Sequence, residues 1–198
     1  MNAREHFSRP TGQIGMYLHR GGVWIPQAGR LSDDAELLNH WEDHNLIVYT
    51  ASNLMAQRMA PGAAVNTNGG DFIANGLQYL AVGLGQLDSA GNQTWNLQDP
   101  PSEQLTQTQL YGELTRQQFT SWTFLDSSNN PIQTATNILQ LVTTFMETQA
   151  VGALVEMGIF GGNATSTANT GILFNYKTFP VWNKPSSARL TVTWNLTY

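Results

Sequence analysis

The chain has 198 residues, of which 12% are charged, with a formal net charge of −5 and no cysteine. Soluble domains average about 25% charged residues, and this chain has no Lys/Arg-rich run, so composition argues against nucleic acid as its main partner. The lack of cysteine excludes disulfides, thiolate metal sites and thiol nucleophiles, and no run approaches the roughly 18 apolar residues of a membrane helix.

The first 13 residues predict an extended arm. They contain no apolar signal segment, which indicates a protein made in the cytoplasm, and Pro10 and Gly12 interrupt regular structure. With so little apolar content, the segment cannot order itself in isolation. We expect it to dock on a neighbouring subunit through Arg4 and Arg9, the alternative being that it packs against its own domain.

The next part of the chain predicts a hairpin followed by short helices. Ile14–His19 and Val23–Ile25 flank two glycines, which favour a tight turn between paired strands. Asp33 has Glu36 three residues later, the capping-box pattern that begins a helix. A second short helix is predicted for Asn53–Ala60, before a Pro-Gly stop.

From residue 77 onwards the sequence pattern is mainly that of strands. Apolar or alternating runs recur between turn-forming sequences, a spacing typical of an antiparallel sandwich or barrel. The predicted strands are Leu77–Val82, Gln118–Leu125, Ile138–Met146, Ala153–Phe160, Ile172–Phe179 and Arg189–Tyr198. A polar helix is predicted between the first two of them, over Glu103–Arg116. In the last strand, apolar residues alternate with threonine and asparagine, which predicts one buried and one wet face.

Together these elements predict a mainly β fold. We expect an antiparallel β-sandwich, or a barrel-like sandwich, with two or three short helices and the N-terminal arm of residues 1–13. Residues 14–198 form one domain, in which 14–76 hold the hairpin and short helices and 77–198 hold the sandwich core. The side chains expected to face inwards are Phe124, Leu141, Phe160, Phe179 and Trp194.

The sequence contains no complete catalytic set. His40 and His44 are spaced to bind one Zn²⁺ from a helix face, but Trp41 stands where a zincin has its glutamate. No Gly-x-Ser-x-Gly elbow is present, and Gly83-Leu-Gly85 lacks the third glycine and the Lys-Ser/Thr of nucleotide-binding loops. We therefore expect a protein that is not an enzyme, with no catalytic residue, metal or cofactor.

Six tryptophans offer large apolar surfaces. Trp122 and Trp194 lie on predicted strands and are expected in the core. Trp95 and Trp182 lie in turn-rich segments and are the candidates for an interface, because exposed aromatic residues fill pockets or stack on sugars. They support an alternative function, that of a carbohydrate- or receptor-binding module.

A series of short segments follows in a distinctive order from residue 45. These are Asn45–Val48, Leu54–Ala60, Ala81-Val-Gly-Leu-Gly85, Leu110–Arg116, Glu156-Met-Gly-Ile-Phe160, Gly171-Ile-Leu173, Lys177-Thr-Phe179, Lys184 and Leu190–Leu196. In this order they resemble a family of small structural proteins of tailed-bacteriophage virions, and the closing region is similar to the start of some phage tail-fibre proteins.

The resemblance implies a virion component with no activity and no cofactor, made in the cytoplasm of a bacterial host. Its partners would be capsid, neck or tail subunits, and its place that of a capsid decoration protein or of a neck or tail fitting. Such proteins assemble by symmetry, so we expect a homo-oligomer or a chain bound to a multimeric platform.

Two residues of the predicted strand Ala153–Phe160 require a physical explanation. Glu156 lies on an apolar strand, where an unpaired carboxylate is costly to bury. We expect it to accept backbone N–H bonds or to pair with Arg116 or Lys184, the alternative being an exposed strand face. Gly158 would permit a bulge or the close approach of another backbone.

Overall fold

The computed structural model describes residues 11–48 and 76–198. This part of the chain consists of strands and connections, without a helix. The strands are β1 (Thr11–Arg20), β2 (Trp24–Ile25), β3 (Arg30–Leu31), β4 (Glu36–Ile47), β5 (Leu77–Gly83), β6 (Glu113–Gln118), β7 (Ser121–Leu125), β8 (Pro131–Ile132), β9 (Ile138–Phe145), β10 (Gly152–Gly161), β11 (Ile172–Lys184) and β12 (Arg189–Thr197). The prediction of a mainly β fold is therefore confirmed, and that of short helices is not.

Ten of these strands form one antiparallel sheet, in the order β6-β5-β10-β11-β4-β1-β12-β9-β7-β8. The 12-residue strand β4 joins its two halves. Most of β4 pairs with β1, whereas its end, at Leu46 and Ile47, pairs with Tyr176 and Asn175 of β11. The short strands β2 and β3 pair with each other as a separate ribbon.

The two halves of the sheet share one hydrophobic core. Ile14 and Trp194 from one half and Met157 and Phe179 from the other belong to the same cluster of buried side chains. Period-2 alternation places them there, because successive residues of a strand point to opposite faces. Each fully buried side chain of this size stabilises the fold by about 1.5–3 kcal/mol.

A second buried cluster lies on the other face of the β10–β5 half. It contains Ala81, Leu110, Phe160 and Tyr176. Of the five side chains expected inside, Phe160 is buried in this second cluster, Leu141, Phe179 and Trp194 are buried in the main core, and Phe124 is half-buried. The connection between β5 and β6 contributes Leu110 to this cluster. It therefore covers a sheet face that the alternating pattern of the strands alone would leave exposed.

The prediction of a hairpin between Ile14–His19 and Val23–Ile25 is wrong. Gly21 and Gly22 do turn the chain, both with positive φ, and a Cβ on Gly22 would lie 2.4 Å from that of Ala35. The turn leads into the β2–β3 ribbon, while β1 pairs with β4 and β12. A 10-residue strand with an apolar inner face gains more from two long neighbours than from a two-residue partner.

The helix predicted from Asp33 is also wrong, because β4 begins at Glu36. Glu36 lies opposite Arg20 in the β1–β4 ladder, and their side chains form an ion pair at 3.3 Å. The glutamate of the capping-box pattern is thus a cross-strand partner. The second predicted helix, Asn53–Ala60, lies outside the described residues.

Two further boundaries differ from the predicted ones. Glu103–Arg116 is not a helix, since β6 begins at Glu113 and pairs with β5. The strand predicted over Gln118–Leu125 is two strands, β6 and β7, which lie towards opposite ends of the sheet. The chain crosses between them at Thr120, whose N–H donates to Val142 O at 2.8 Å.

The strands predicted near 138–146, 153–160, 172–179 and 189–198 correspond to β9 to β12. The outward face of β12 is not wet, however, since Thr191 and Thr193 are buried. The β2–β3 ribbon lies against this face, where the rings of Tyr17 and Trp24 are 4.9 Å apart. At the other end of the chain β1 begins at Thr11, so residues 11–13 of the predicted arm belong to the sheet.

Candidate functional site

Glu156 is the most enclosed carboxylate of the described chain. It lies on β10 opposite Gly83 of β5 and Thr178 of β11, and it has 0% of its surface exposed. Its side chain is directed away from the main core, towards the segment that connects β5 to β6. The sequence pattern predicted that this acid lies on an apolar strand, and its position in β10 confirms the prediction.

Four donors converge on the Glu156 carboxylate. Oε1 accepts from the N–H groups of Gly112 at 2.7 Å and Gly85 at 3.2 Å. Oε2 accepts from the N–H of Tyr111 at 3.0 Å and from the hydroxyl of Tyr176 at 2.7 Å. Two donors on each oxygen fill most of the acceptor capacity of a carboxylate, so the group is buried with its hydrogen bonds satisfied. We call Glu156 and these four donors the Glu156 network.

Burial keeps Tyr176 in its donor form. Burial, followed by the neighbouring Glu156 carboxylate, raises the pKa of the Tyr176 hydroxyl far above its usual range. The hydroxyl is therefore protonated throughout the physiological pH range. The hydroxyl therefore donates to Glu156 Oε2 in the folded protein.

Glycines leave the space that this network occupies. A Cβ on Gly83 would lie 2.5 Å from Glu156 Oε1, and one on Gly112 would lie 2.2 Å from Gly85 O. Gly85 has a φ of +71°, and the Trp95 ring covers it at 2.6 Å from the Cβ position. Side chains at these places would displace the carboxylate or its donors.

Gly158 serves a similar purpose on the same strand. A Cβ there would meet Leu173 Cδ1 at 2.7 Å and Leu110 Cδ1 at 2.9 Å. The close approach is therefore mainly by side chains, and the register shifts of β10 lie elsewhere, beside Glu156 and Phe160. Leu110, fully buried, anchors the connecting segment on this glycine.

Arg116 pairs with Glu113 rather than with Glu156. Its Nε and Nη2 donate to the two Glu113 oxygens at 2.6 and 2.8 Å, and both side chains are 1% exposed. Its Nη1 donates to the carbonyls of Thr165 and Thr170, and the guanidinium lies 4.3 Å from the centroid of the Phe160 ring. The pair thus fastens the β10–β11 connection to β6.

Asn169 completes the attachment of that connection. Its Oδ1 accepts from Leu110 N–H at 3.0 Å, and its Nδ2 donates to Leu110 O at 3.3 Å. Its own N–H donates to Glu113 Oε2 at 2.8 Å. No periodic pattern marks this residue, so sequence reasoning missed it.

Lys184 has a comparable structural position at the far end of β11. Its Nζ donates to the carbonyls of Met146 and Glu147 at 3.0 and 2.9 Å, and burial lowers its pKa. Beside it, Arg189 Nε donates to Glu147 Oε1 at 2.8 Å. The β9–β10 turn is held by these two cations.

Lys177 joins two acids that the sequence does not bring together. Its Nζ lies 2.9 Å from Asp43 Oδ2 and 3.1 Å from Glu103 Oε1. Burial alone would lower the pKa of Lys177, but the hydrogen bonds to both carboxylates outweigh it and raise that pKa. Glu103 also accepts from Thr178 N–H at 3.0 Å, so the β5–β6 connection is fixed at a second point.

The tryptophans are distributed differently from the prediction. Trp182, an expected interface residue, is 9% exposed and belongs to the main core, because β11 continues past Phe179 to Lys184. Trp95 is half-buried against Gly85, with its ring centroid 5.0 Å from that of Tyr111. Arg4 and Arg9 lie outside the described residues.

Trp122, expected in the core, is 62% exposed. Leu125 is the buried residue of β7, and the two-residue period places Trp122 and Phe124 on the opposite face. Trp122 lies an odd number of residues from Leu125, and this spacing was the sequence signal that could have predicted its exposure. With Pro26, Pro131 and Ile132 these two aromatic residues line a groove of about 330 Å³, which we call the Trp122 surface.

His40 and His44 lie too far apart to bind one metal ion together. His40 and His44 lie on one strand four residues apart, a separation of about 13 Å at 3.3 Å per residue. His40 Nε2 contacts Glu42 Oε1 at 3.1 Å. Across residues 11–48 and 76–198 no group of three or more His, Cys, Asp or Glu side chains is placed to hold a metal ion.

No protein-family model matches the sequence, and a search of curated proteins finds no match. Within the described ranges no helix is long and apolar enough to cross a membrane.

Proposed function

We propose that the protein is a non-enzymatic structural component of a tailed-bacteriophage virion. It would be a β-sandwich module fitted on the particle by protein–protein contacts, as a capsid decoration protein or as a neck or tail fitting. The observation that supports this proposal best is the Glu156 network, because it joins segments through which the sequence resembles virion structural proteins. Gly83 and Gly85, Leu110 to Arg116, and Glu156 to Phe160 all contribute to this region.

The buried charges of the domain are used to hold connections. Glu156, Arg116 and Lys184 are each at most 6% exposed, and each contacts the backbone of a segment between strands. A general acid or base must reach a substrate proton, whereas these groups are enclosed. Their arrangement favours a rigid module whose long connections keep a fixed shape.

The Trp122 surface supplies a candidate contact with a neighbouring subunit. Exposed aromatic residues next to apolar ones mark protein interaction sites. Strand β8 pairs with Phe124 and Leu125, so Ser121–Thr123 has no neighbour on that side among the described strands. A strand of another virion subunit could add there by backbone hydrogen bonds while its side chains cover Trp122.

The N-terminal arm is the second proposed contact. Residues 1–10 precede β1, and Arg4 and Arg9 would meet carboxylates of a neighbouring subunit. Both contacts fit a homo-oligomer or a chain bound to a multimeric platform.

Analysis of purified particles tests the proposal. Virions made from the genome that encodes this chain should contain the protein at a fixed stoichiometry in quantitative mass spectrometry. Hundreds of copies would identify a decoration protein, and a small multiple of three, five, six or twelve would identify a neck or tail fitting. Absence from gradient-purified particles that are otherwise complete would refute the proposal.

A further inference from the structure

Strand β7 has an open edge before the point where β8 begins to pair with it. Phe124 and Leu125 lie opposite Ile132 and Pro131 of β8, whereas no described strand pairs with Ser121–Thr123 on that side. An open edge presents backbone N–H and C=O groups that a further strand can bind. We call these three residues the β7 edge.

The hydrogen-bond alternation of an antiparallel ladder identifies the residue of the β7 edge that faces outwards. Asp126 N–H donates to Asn130 O at 2.9 Å, so these two residues form a hydrogen-bonded pair at the end of the β7–β8 ladder. Such pairs recur at every second residue, which makes Phe124 and Ile132 the next one. Two residues further along, Trp122 directs its N–H and C=O towards the same edge.

The β7 edge lies in the groove of the Trp122 surface. The exposed Trp122 ring meets Phe124 edge to face, with 5.7 Å between the ring centroids. The other lining residues are Pro26, Gln27, Ser121, Thr123, Pro131, Ile132 and Gln133, and none of the nine is ionisable. A strand residue that pairs with Trp122 places its side chain beside the indole ring, because opposite residues share a face. The groove therefore favours an uncharged aromatic or aliphatic side chain at that position.

The edge of β4 differs, because its own side chains close it. Over Glu36–His44 this strand has β1 as its one described neighbour. Asn39 Oδ1 accepts from His40 N–H at 2.9 Å, and Asp43 Oδ1 accepts from His44 N–H at 2.7 Å. Protected edges of this kind prevent unwanted strand pairing. Among the described residues no side chain closes the β7 edge in the same way.

The chain itself contains a segment whose composition suits this groove. Residues 1–10 include Phe7, their one Phe, Tyr or Trp residue, and Ser8 follows it. An extended backbone at Phe7 would exchange both hydrogen bonds with Trp122. Its phenyl ring would then lie beside the indole ring, an aromatic pair across two strands.

Charge also matches between this segment and the end of β7. Asp126 begins the β7–β8 turn and forms no ion pair among the described residues. Hydrogen bonds from Asn130 hold the pKa of Asp126 below its usual range, so the carboxylate is charged at neutral pH. Arg4 and Arg9 flank Phe7 in the sequence. They supply the positive charge that this carboxylate lacks.

Chain length prevents Phe7 from reaching the groove of its own copy. One row of paired residues crosses four strands from β1 to β7, namely Gly12, Leu196, Leu139 and Phe124. With about 4.8 Å between strands, a strand added to the β7 edge lies about 19 Å from β1. The stretch from Phe7 to the first residue of β1 spans at most about 14 Å. The arm of a neighbouring copy has no such limit.

We propose that the β7 edge binds residues 1–10 of a second copy of this chain, with Phe7 opposite Trp122. Each copy then gives one arm and receives another, a heterologous contact that closes into a ring or continues as a filament. The proposal rests on the two contacts suggested under the proposed function, the arm and the Trp122 surface. It does not depend on the place of the protein in a virion, so the purified full chain is sufficient to test it.

Sedimentation equilibrium of the full chain, at concentrations up to about 1 mM, the weak end of specific binding, measures the contact. We expect the protein to self-associate. Phe7→Ala and Trp122→Ala should each raise the dissociation constant by at least about 10-fold, as loss of a central aromatic contact does. Leu37→Ala, at a side chain that is 53% exposed on β4, is the control and should associate normally.

A mixture of two variants tests the head-to-tail arrangement. Phe7→Ala keeps an intact edge, and Trp122→Ala keeps an intact arm. We therefore expect the two variants to form a 1:1 heterodimer when mixed, although each alone associates weakly. The complex should stop at two chains, because the remaining arm and the remaining edge are both defective.

The charge contribution has a matched control elsewhere on the surface. Asp126→Asn should weaken association by about 2–5-fold, the effect of an exposed ion pair. Asp88 accepts the same set of turn hydrogen bonds, from the N–H groups two and four residues later. Asp88→Asn should therefore leave association unchanged.

Three results would overturn the proposal. One is a full chain that stays monomeric at about 1 mM. Another is association that Phe7→Ala leaves unchanged, which would identify pairing of two β7 edges or contact through another surface. The third is failure of the mixed variants to form a heterodimer. Should Trp122→Ala not fold, Phe7→Ala decides the outcome, because that residue lies outside the described strands. None of these results alters the expected composition of purified particles, which tests the proposed function separately.

Discussion

Gly83 and Glu156 lie directly opposite each other in the β5–β10 ladder, and the glycine leaves the space that the glutamate carboxylate occupies. The carboxylate uses this space to accept the N–H groups of Gly85, Tyr111 and Gly112. It therefore fixes both ends of the connection between β5 and β6.

Glu156→Gln should destabilise the protein strongly. The amide keeps the shape of the side chain but turns one acceptor oxygen into a donor, so donors that now meet an oxygen would face an NH₂ group. Leaving such groups buried and unpaired costs about 2–4 kcal/mol. The free energy of unfolding from urea denaturation measures the effect. Glu36→Gln is the control, since that side chain is 63% exposed and its change should stay within about 0.5 kcal/mol. Equal midpoints for the two variants would contradict this account.

Gly83→Ala should also destabilise the fold, by about 1–3 kcal/mol, because the added methyl group overlaps Glu156 Oε1 and Gly112 O. Gly76→Ala is the matched control, since a Cβ there meets nothing within 4 Å. The double variant with Glu156→Ala should cost less than the sum of the single variants, because the methyl group then enters the space that the carboxylate vacates. Strict additivity would show that the two residues act separately.

Trp194→Ala should cost about 3–5 kcal/mol, as large deletions in a core do. The side chain is 1% exposed and packs between the two sheet halves. Trp122→Ala is the control, because it removes an indole ring from the surface and should change the melting temperature little. If the Trp122 surface is a contact, this variant should also associate more weakly with a partner. An unchanged melting temperature for Trp194→Ala would place that residue outside the core.

The sequence predicted strands wherever one face of the strand is apolar. The alternation of β12 and the apolar runs of β9 and β10 are local patterns, and the structure follows them. The prediction of a helix at Asp33 was wrong because Glu36, the second residue of the capping-box pattern, pairs instead with Arg20, which precedes it by 16 residues. Short-range capping signals do not reveal a cross-strand pair of this kind.

The candidate sites were predictable only in part. An acid on an apolar strand singled out Glu156, but its three backbone donors lie on a connection without periodicity, 44 to 71 residues away. The Trp122 surface combines Pro26, which lies beside β2, with residues of β7 and β8. Such sites depend on register across several strands, which no single segment encodes.

Stability should fall as the pH drops below about 6.5, because His19 is buried as a neutral ring. Its Nδ1 lies 2.7 Å from Gly21 O, which can only accept, so Nδ1 carries the hydrogen and Nε2 accepts from Thr191 Oγ1 at 2.9 Å. Burial lowers the pKa of His19 more than the hydrogen bond to Gly21 O raises it, and Arg189 adds to the lowering while Glu147 opposes it. The folded pKa is below the unfolded one, so the contribution is complete above pH 6.5 and is lost as the pH falls towards the folded pKa.

Urea denaturation between pH 7.5 and 5 measures this dependence, whose slope for one proton is at most about 1.4 kcal/mol per pH unit. His19→Gln keeps a neutral donor and acceptor and should flatten the curve over this range. His40→Gln, at an exposed ring, is the control and should retain the slope. A slope that survives in His19→Gln would assign it to other groups.

Removal of residues 2–10 should leave the fold intact and weaken attachment to the particle. Strand β1 begins at Thr11, so the deletion leaves every described strand pair in place. Arg4→Ala combined with Arg9→Ala should reproduce most of the loss of binding, because the proposed contact is with carboxylates and is sensitive to salt. Arg30→Ala, a surface change that affects an ion pair with Asp33 in the β2–β3 region, is the control for loss of one positive charge. The measurements are the free energy of unfolding and the amount of protein retained on particles that lack their own copy. A truncated chain that unfolds would show that the segment is part of the domain, and one that attaches as well as the full chain would remove the arm from the contact.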